Sequence, residues 1–412
     1  MEYAPPYIPG GNPDPNAPYV DRDSPGGIRG SVPPARAIED PQREIGYVID
    51  KVLGDGTFRS AQDPEDTTQL YQSIIAAAPL ITQNLTINVT TSGSPTPADP
   101  FAGDPFDKLS SAFAWLRLRR IMGNAIVTIA MAAGTYSESV VELDLSHPDG
   151  LSVKIIAADL LAAFPIRANF NGVRATDEAM LRSKWAVKVE CAGDGIVVGR
   201  SGLSLMKNIM FIGAGIAGGI YFGTTESFND DFGGDGPASG SIRSCAFIGF
   251  ASGILARSSG SASLMDVVVC HCAGIGILAN DNSYIRGSNV FSIYNGAEGL
   301  FARDGSKVEI SGTGHFDANA TTGIYANRGE IYMNAATSGS ITATANGIRN
   351  VFGTEFARIS LAFLNLNIVG GGSVSATVTN DAKIFLFSCI NLANLSPTDD
   401  TVGNNNAYLK VL

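Results

Sequence analysis

Two sets of carboxylates have the residue types and spacing that acid–base chemistry needs. The first is Glu226, Asp230, Asp231 and Asp235, interleaved with Phe228 and Phe232. Aromatic rings beside acids suit a sugar or a divalent cation; the competing reading, which the sequence favours, is a solvated acidic loop or a subunit-contact loop. The second set is Asp281 and Asp304, which align on successive copies of a repeat. Acids stacked one repeat apart repel, which lifts one pKa towards that of a general acid. Glycosidic bonds are cleaved between two carboxyl groups about 5 to 9 Å apart. Both aspartates, however, sit in turn tetrads, Asn280-Asp281-Asn282-Ser283 and Arg303-Asp304-Gly305-Ser306. Asp is common there because it caps its own turn, so a turn role outweighs a catalytic one.

Cys270-His271-Cys272 has the composition of a metal site, but strand alternation sends His271 to the face opposite the two thiols. The five cysteines (Cys191, Cys245, Cys270, Cys272 and Cys389) lack zinc spacing. They read as reduced, buried small hydrophobes, with no metal and no cofactor implied. His147 and His315 have no sequence-local partner for a nucleophile–base pair.

The elements that would position these groups follow from a glycine that precedes an aliphatic residue at Gly195, Gly219, Gly253, Gly276, Gly299, Gly323 and Gly347. The intervals are 24, 34, 23, 23, 24 and 24 residues. A fixed period of this size marks a solenoid. Alignment on the glycine puts Ile196, Ile220, Ile254, Ile277, Leu300, Ile324 and Ile348 in one interior column. Val198, Phe222, Ala256, Ala279, Ala302, Ala326 and Asn350 fall two residues on, in a second column on the same face. Asn295 and Asn319 align four residues before their glycines, as an Asn ladder at a turn would. The single long interval isolates Glu226 to Asp235 as an insertion, and insertions in solenoids map to one face. Between the interior columns lie Val197, Tyr221, Leu255, Leu278, Phe301 and Tyr325, which alternation turns outward. An apolar exterior stripe marks an interaction surface. Contact between identical copies outweighs a sugar platform, because Val and Leu do not stack on sugar rings.

Upstream, residues 1 to about 35 are rich in Pro, Gly, Asp and Asn and cannot build a core. Short helices are predicted from Asp40 through Val52 and from Asp66 to Ala77. Asp107–Ile121 reads as a helix with Leu109, Phe113, Leu116 and Ile121 on one face, suited to capping the exposed end of a solenoid. Arg117, Arg119 and Arg120 would form its solvated or interface side. Strands are expected at Asn84–Thr90, Ala125–Ala130 and Leu151–Ala157. The net charge of −11 argues against a nucleic-acid or anionic-membrane partner. No apolar run reaches the roughly 18 residues of a membrane span, and the start lacks the segments of a secretory signal. A soluble protein, made and assembled in cytoplasm, is expected.

Ser31 to Ile45 (S-V-P-P-A-R-A-I-E-D-P-Q-R-E-I) and Asp66 to Ile74 resemble the N-terminal part of tailed-phage tail-fibre proteins. Thr86 to Ser94, Val127 to Glu138 and Ser146 to Gly150 are similar to phage fibre and tailspike β-helices, and the A-G-T-Y-x-E piece is shared more loosely with pectin-lyase-like enzymes. The resemblance implies a mainly β protein: a right-handed parallel β-helix with an N-terminal cap helix and an extended, partly helical attachment segment. It implies a virion protein, usually a homotrimer, docked on the tail or baseplate and projecting towards the host. The expected organisation is attachment at 1–80, first coils and cap at 81–186, regular coils at 187–390 and a tail at 391–412. The expected function is structural, with or without contact to a host-surface glycan. The alternatives are a depolymerase (glycoside hydrolase or polysaccharide lyase) and a baseplate or collar component.

Overall fold

The computed structural model describes Ile45 and residues 80–411, except 141–142, 145–146, 200, 216–217, 224–237, 336–339, 363, 366–373 and 390–407. The chain forms two compact units, Met1–Ile81 with Leu118–Arg120, and Thr82–Arg117 with Ile121–Leu412. In the first, Ile45 is helical; the helices expected over Asp40–Val52 and Asp66–Ala77 otherwise lie outside the described residues. No helix among the described residues is long and apolar enough to cross a membrane.

The second unit is a parallel β-solenoid of about nine turns. Each coil runs over three faces. On the first lie strands such as Val127–Met131, Val153–Ala157 and Leu203–Lys207. Gly134–Glu138, Val187–Cys191 and Ile209–Gly213 belong to the second. The third carries Ile196–Val198, Gly218–Phe222, Ser252–Ala256, Ile277–Ala279, Leu300–Arg303 and Thr322–Asn327. In the middle coils one strand serves the first two faces, as in Ser239–Ile248, Ser261–Cys270 and Tyr284–Ile293. Each of these bends at a single left-handed residue, Ser244, Asp266 or Asn289. Asn and Asp tolerate that conformation best among residues with a side chain. The bend residues also bond to each other, Asn289 Nδ2 donating to Asp266 Oδ1 at 2.6 Å. At the second corner the left-handed residues are Gly249, His271, Tyr294, Ala318 and Ala345.

The third face bears out the glycine register. Ile196, Ile220, Ile254, Ile277, Leu300 and Ile324 pair in sequence, and so do Val198, Phe222, Ala256, Ala279, Ala302 and Ala326. All are buried. Beta carbons added at Gly195, Gly219 and Gly253 would meet backbone or side-chain atoms of the next coil at 1.8, 2.5 and 2.1 Å, so close coil stacking requires the repeated glycine. The last step of the expected column fails. Ile324 pairs with Val351, while Ile348 is 48% exposed. Asn350 is buried, but it accepts a hydrogen bond from Asn346 and Gly353 takes its expected place. The slip enters at one corner. The preceding coil spacing is 23 residues at Ser311 to Asn334 but 27 at Gly314 to Ile341.

Asn295 and Asn319 form the expected ladder, and Asn346 extends it, with Nδ2 to Oδ1 distances of 3.0 and 3.2 Å. Each carboxamide oxygen also accepts a backbone N–H from the preceding coil. Buried backbone donors at that turn are thereby satisfied. The cap helix, α1, spans Leu109–Arg117 and buries Leu109, Ala112, Phe113 and Leu116, one helical stripe. Its first N–H groups, of Leu109 and Ser110, donate to the buried Glu138 carboxylate at 2.8 and 3.3 Å. It is shorter than Asp107–Ile121 because the Ile121 N–H donates to Asp149 Oδ2 at 2.9 Å instead of to a helix carbonyl. Arg117 pairs with Asp144 at 3.0 Å. Strand pairing runs without a break across residue 186, Gly134–Glu138 joining Val187–Cys191, and Tyr408–Val411 adds a strand to Lys383–Phe387.

Candidate functional site

The acidic insertion connects Phe222, at the end of a third-face strand, to Ser239, at the start of a first-face strand. Glu226, Phe228, Asp230, Asp231, Phe232 and Asp235 lie outside the described residues. Asp281 and Asp304 do stack on successive coils, the Asn282 N–H donating to the Asp304 carbonyl at 3.0 Å. Both adopt left-handed backbone at their turns. Asp281 accepts from Asn280 Nδ2 at 2.6 Å, and the guanidinium groups of Arg303 and Arg328 lie against Asp304. Each carboxylate thus has partners at its own turn, the arrangement that a turn role requires.

The Cys-His-Cys segment is not a continued strand. Cys270 ends one, and His271 turns the second corner. Cys270 and Cys272 are buried; desolvation raises the Cys270 thiol well above its usual value and pushes the Cys272 thiol to about 12. His271 instead reaches a residue that no sequence pattern singles out: its Nε2 lies 2.8 Å from Oδ2 of the fully buried Asp177.

Asp177 belongs to an insertion between Val153–Ala157 and Val187–Cys191 that carries a second helix, α2, Arg174–Arg182. This insertion covers the outer side of the second face. Phe170, Leu181 and Trp185 pack on Met210, Ile212, Ala246, Ile248, Val268, Cys270, Phe291 and Ile293 as a second apolar core outside the coils. Trp185 Nε1 donates to the Ser244 carbonyl at 2.8 Å. Asp177 accepts the backbone N–H groups of Asn171 and Gly172 at 2.9 and 3.1 Å. Further along, Arg167 donates to Asp317 Oδ2 at 3.1 Å and to the Tyr294 hydroxyl at 3.2 Å. Asp317 also accepts from Thr342 and Thr344 and faces His315. Burial alone would raise its carboxyl, but hydrogen bonds from His315 and Thr342 and the charges of His315 and Arg167 hold it below the usual aspartate range. The sequence did contain a signal for this cover. Cys245-Ala246-Phe247-Ile248 and Val267-Val268-Val269-Cys270 are unbroken apolar runs, which mark strands buried on both sides.

The outward stripe of the third face is partly corrected. Val197, Leu255 and Leu278 are 5%, 2% and 3% exposed, so the chain itself buries them. Tyr221, Phe301 and Tyr325 are half-buried. Burial, then the Asp194 carboxylate, pushes the Tyr221 phenol to about 12. Phe301, Tyr325 and a residue beyond the expected stripe, Phe352, form a stack with ring centroids 4.3 and 4.8 Å apart. Arg349 lies 4.1 Å over the last ring.

The outer side of the first face carries two adjoining depressions of about 550 and 460 Å³, both lined by Arg243, Ser263 and Arg286. One half presents Met265, Glu309 and Tyr332; the other presents Ser239, Ser241, Ser261 and Tyr284. Glu309 is engaged, 2.6 Å from both Lys307 Nζ and the Tyr284 hydroxyl, and these two partners lower its pKa. Lys307 also lies 5.1 Å from the Tyr332 ring centre. Arg286 Nε donates to Ser263 Oγ at 3.3 Å, and the Arg243 guanidinium has no partner among the described residues. The trough thus joins apolar platforms, hydroxyls and guanidinium groups, the lining that holds a polar, ring-bearing ligand.

No protein-family model and no curated protein matches this chain. Among solved structures it is similar to full-length tailspike protein 2 from Escherichia coli O157:H7 bacteriophage CAB120, at 14% sequence identity and a TM-score of 0.44. The match covers 80% of this chain and 41% of that one, less than half of the tailspike's length.

Proposed function

We propose that this protein is a phage virion component, a tail fibre or short tailspike, that takes part in attachment to the host surface. In this reading a surface glycan lies in the trough of the first face. The carrying observation is that this trough is concave and polar and that no described residue covers it, while the chain covers its second face with its own insertion. Support also comes from Ser31 to Ile45 and Asp66 to Ile74, whose resemblance to tail-fibre proteins favours docking on the tail or baseplate through residues 1–80. The Phe301, Tyr325 and Phe352 stack fits a contact between copies in a homotrimer.

Purified protein incubated with host lipopolysaccharide or capsule is expected to cosediment with it and to release no new reducing ends. Release of reducing ends would turn the reading into a depolymerase, with the Glu226 to Asp235 insertion as the first place to mutate. Failure to bind would sink attachment and leave the baseplate or collar role.

A further inference from the structure

We infer that the first-face trough selects acidic polysaccharides, with Arg243 and Arg286 as the residues that take their carboxylates. The inference rests on the attachment reading and adds the class of ligand. Arg286 lies in the outward row of Ser241 and Ser263, two coils beyond Ser241, whereas Arg243 lies in the row of Met265 and Ser288. Two coil steps and two residues along the strand separate their Cα atoms by roughly 12 Å. They lie on a diagonal along the trough rather than at one point, so successive anionic groups of a polymer can meet successive guanidinium groups. Both side chains are exposed and line both depressions. The trough's acid, Glu309, is bound to Lys307 and Tyr284 and adjoins Arg286 on the neighbouring coil, so one carboxylate is shared among three cationic or hydroxyl neighbours, while the Arg243 guanidinium has no anionic partner among the described residues. This runs against the protein as a whole, whose net charge is −11. At physiological ionic strength charges beyond about 8 Å are screened, so the local arginines govern what enters. A planar guanidinium binds a carboxylate through paired hydrogen bonds, and Tyr332 and Met265 offer the apolar surface on which a ring can rest.

The test uses the full chain with polygalacturonate, the same polymer after carboxyl reduction, and dextran as the neutral polymer. Binding of polygalacturonate is expected to fall about tenfold or more in R243Q/R286Q, since hydrogen bonds to charged groups are the strong ones. Binding should also weaken with added salt, and both the reduced polymer and dextran should bind poorly. Inorganic phosphate at equal ionic strength should compete no better than chloride; strong competition would reassign the site to phosphate groups. Equal binding of the native and reduced polymers, or an unchanged double variant, would overturn the inference. Adsorption to host cells is measured in parallel. Adsorption that survives in R243Q/R286Q refutes the trough while leaving attachment standing. Loss of polygalacturonate binding together with adsorption supports both.

Discussion

The second and first faces of the solenoid share corners and ladders, yet they meet their surroundings in opposite ways. Outward positions of the second face are apolar (Ile212, Ile248, Val268, Ile293), and the chain folds its insertion over them. On the first face the equivalent positions are Arg243, Ser263, Arg286 and Glu309, and nothing among the described residues covers them. The difference shows that the interior columns define the coil while the outward column decides whether the chain must cover it. A two-sided apolar strand needs a cover; a polar outward row can face solvent without one. The third face is intermediate, with half-buried aromatic rings stacked along the axis.

The sharpest way to break this contrast is to remove the cover's anchor. Trp185→Ala, at a fully buried residue, should cost about 3–5 kcal/mol in chemical denaturation and expose the outer core to a hydrophobic dye. A cost below about 1 kcal/mol would mean that the insertion is not bound as described. Asp177→Ala should cost roughly 1–3 kcal/mol, by leaving the Asn171 and Gly172 N–H groups unpaired. Amide exchange should accelerate in the insertion ahead of the coils.

Phe301→Asp with Tyr325→Asp tests the third face. Loss of ring stacking costs the single chain about 0.5–1.5 kcal/mol, whereas light scattering should report loss of the proposed trimer; a trimer that persists refutes that interface. Acid should loosen the cover at its far end. The lowered Asp317 pKa contributes stability that is present above the ordinary aspartate value, near 4, and is lost as pH falls through the folded value. Asp317→Asn should flatten the acid limb of a stability–pH curve. The smallest effect belongs to the first face. Met265→Ser, at 45% exposure, should change stability by no more than about 0.5 kcal/mol.

The coil was legible because the interior column of the third face repeats one chemical type at one spacing, from Ile196 to Ile324. Its end was misread because the coil spacing lengthens between Asn334 and Ile341, where no repeated side-chain type marks the change, so Ile348 took the place that Val351 fills. The insertion helix was missed for another reason. Asp177 and His271 are 94 residues apart, and no local pattern announces a contact over that distance. The arginines of the trough had no partners in sequence either; they come to line one trough only once coils two repeats apart are stacked.

Ordinary solenoids couple each repeat only to its neighbours, so they fray coil by coil from an end. The insertion changes that behaviour here. It is fixed to Ser244 through Trp185, and Arg167 reaches Asp317 across 150 residues of sequence. The coils from Met210 to Asp317 therefore share one strap and should open as a single cooperative block. Those beyond Asn346 should melt in smaller steps.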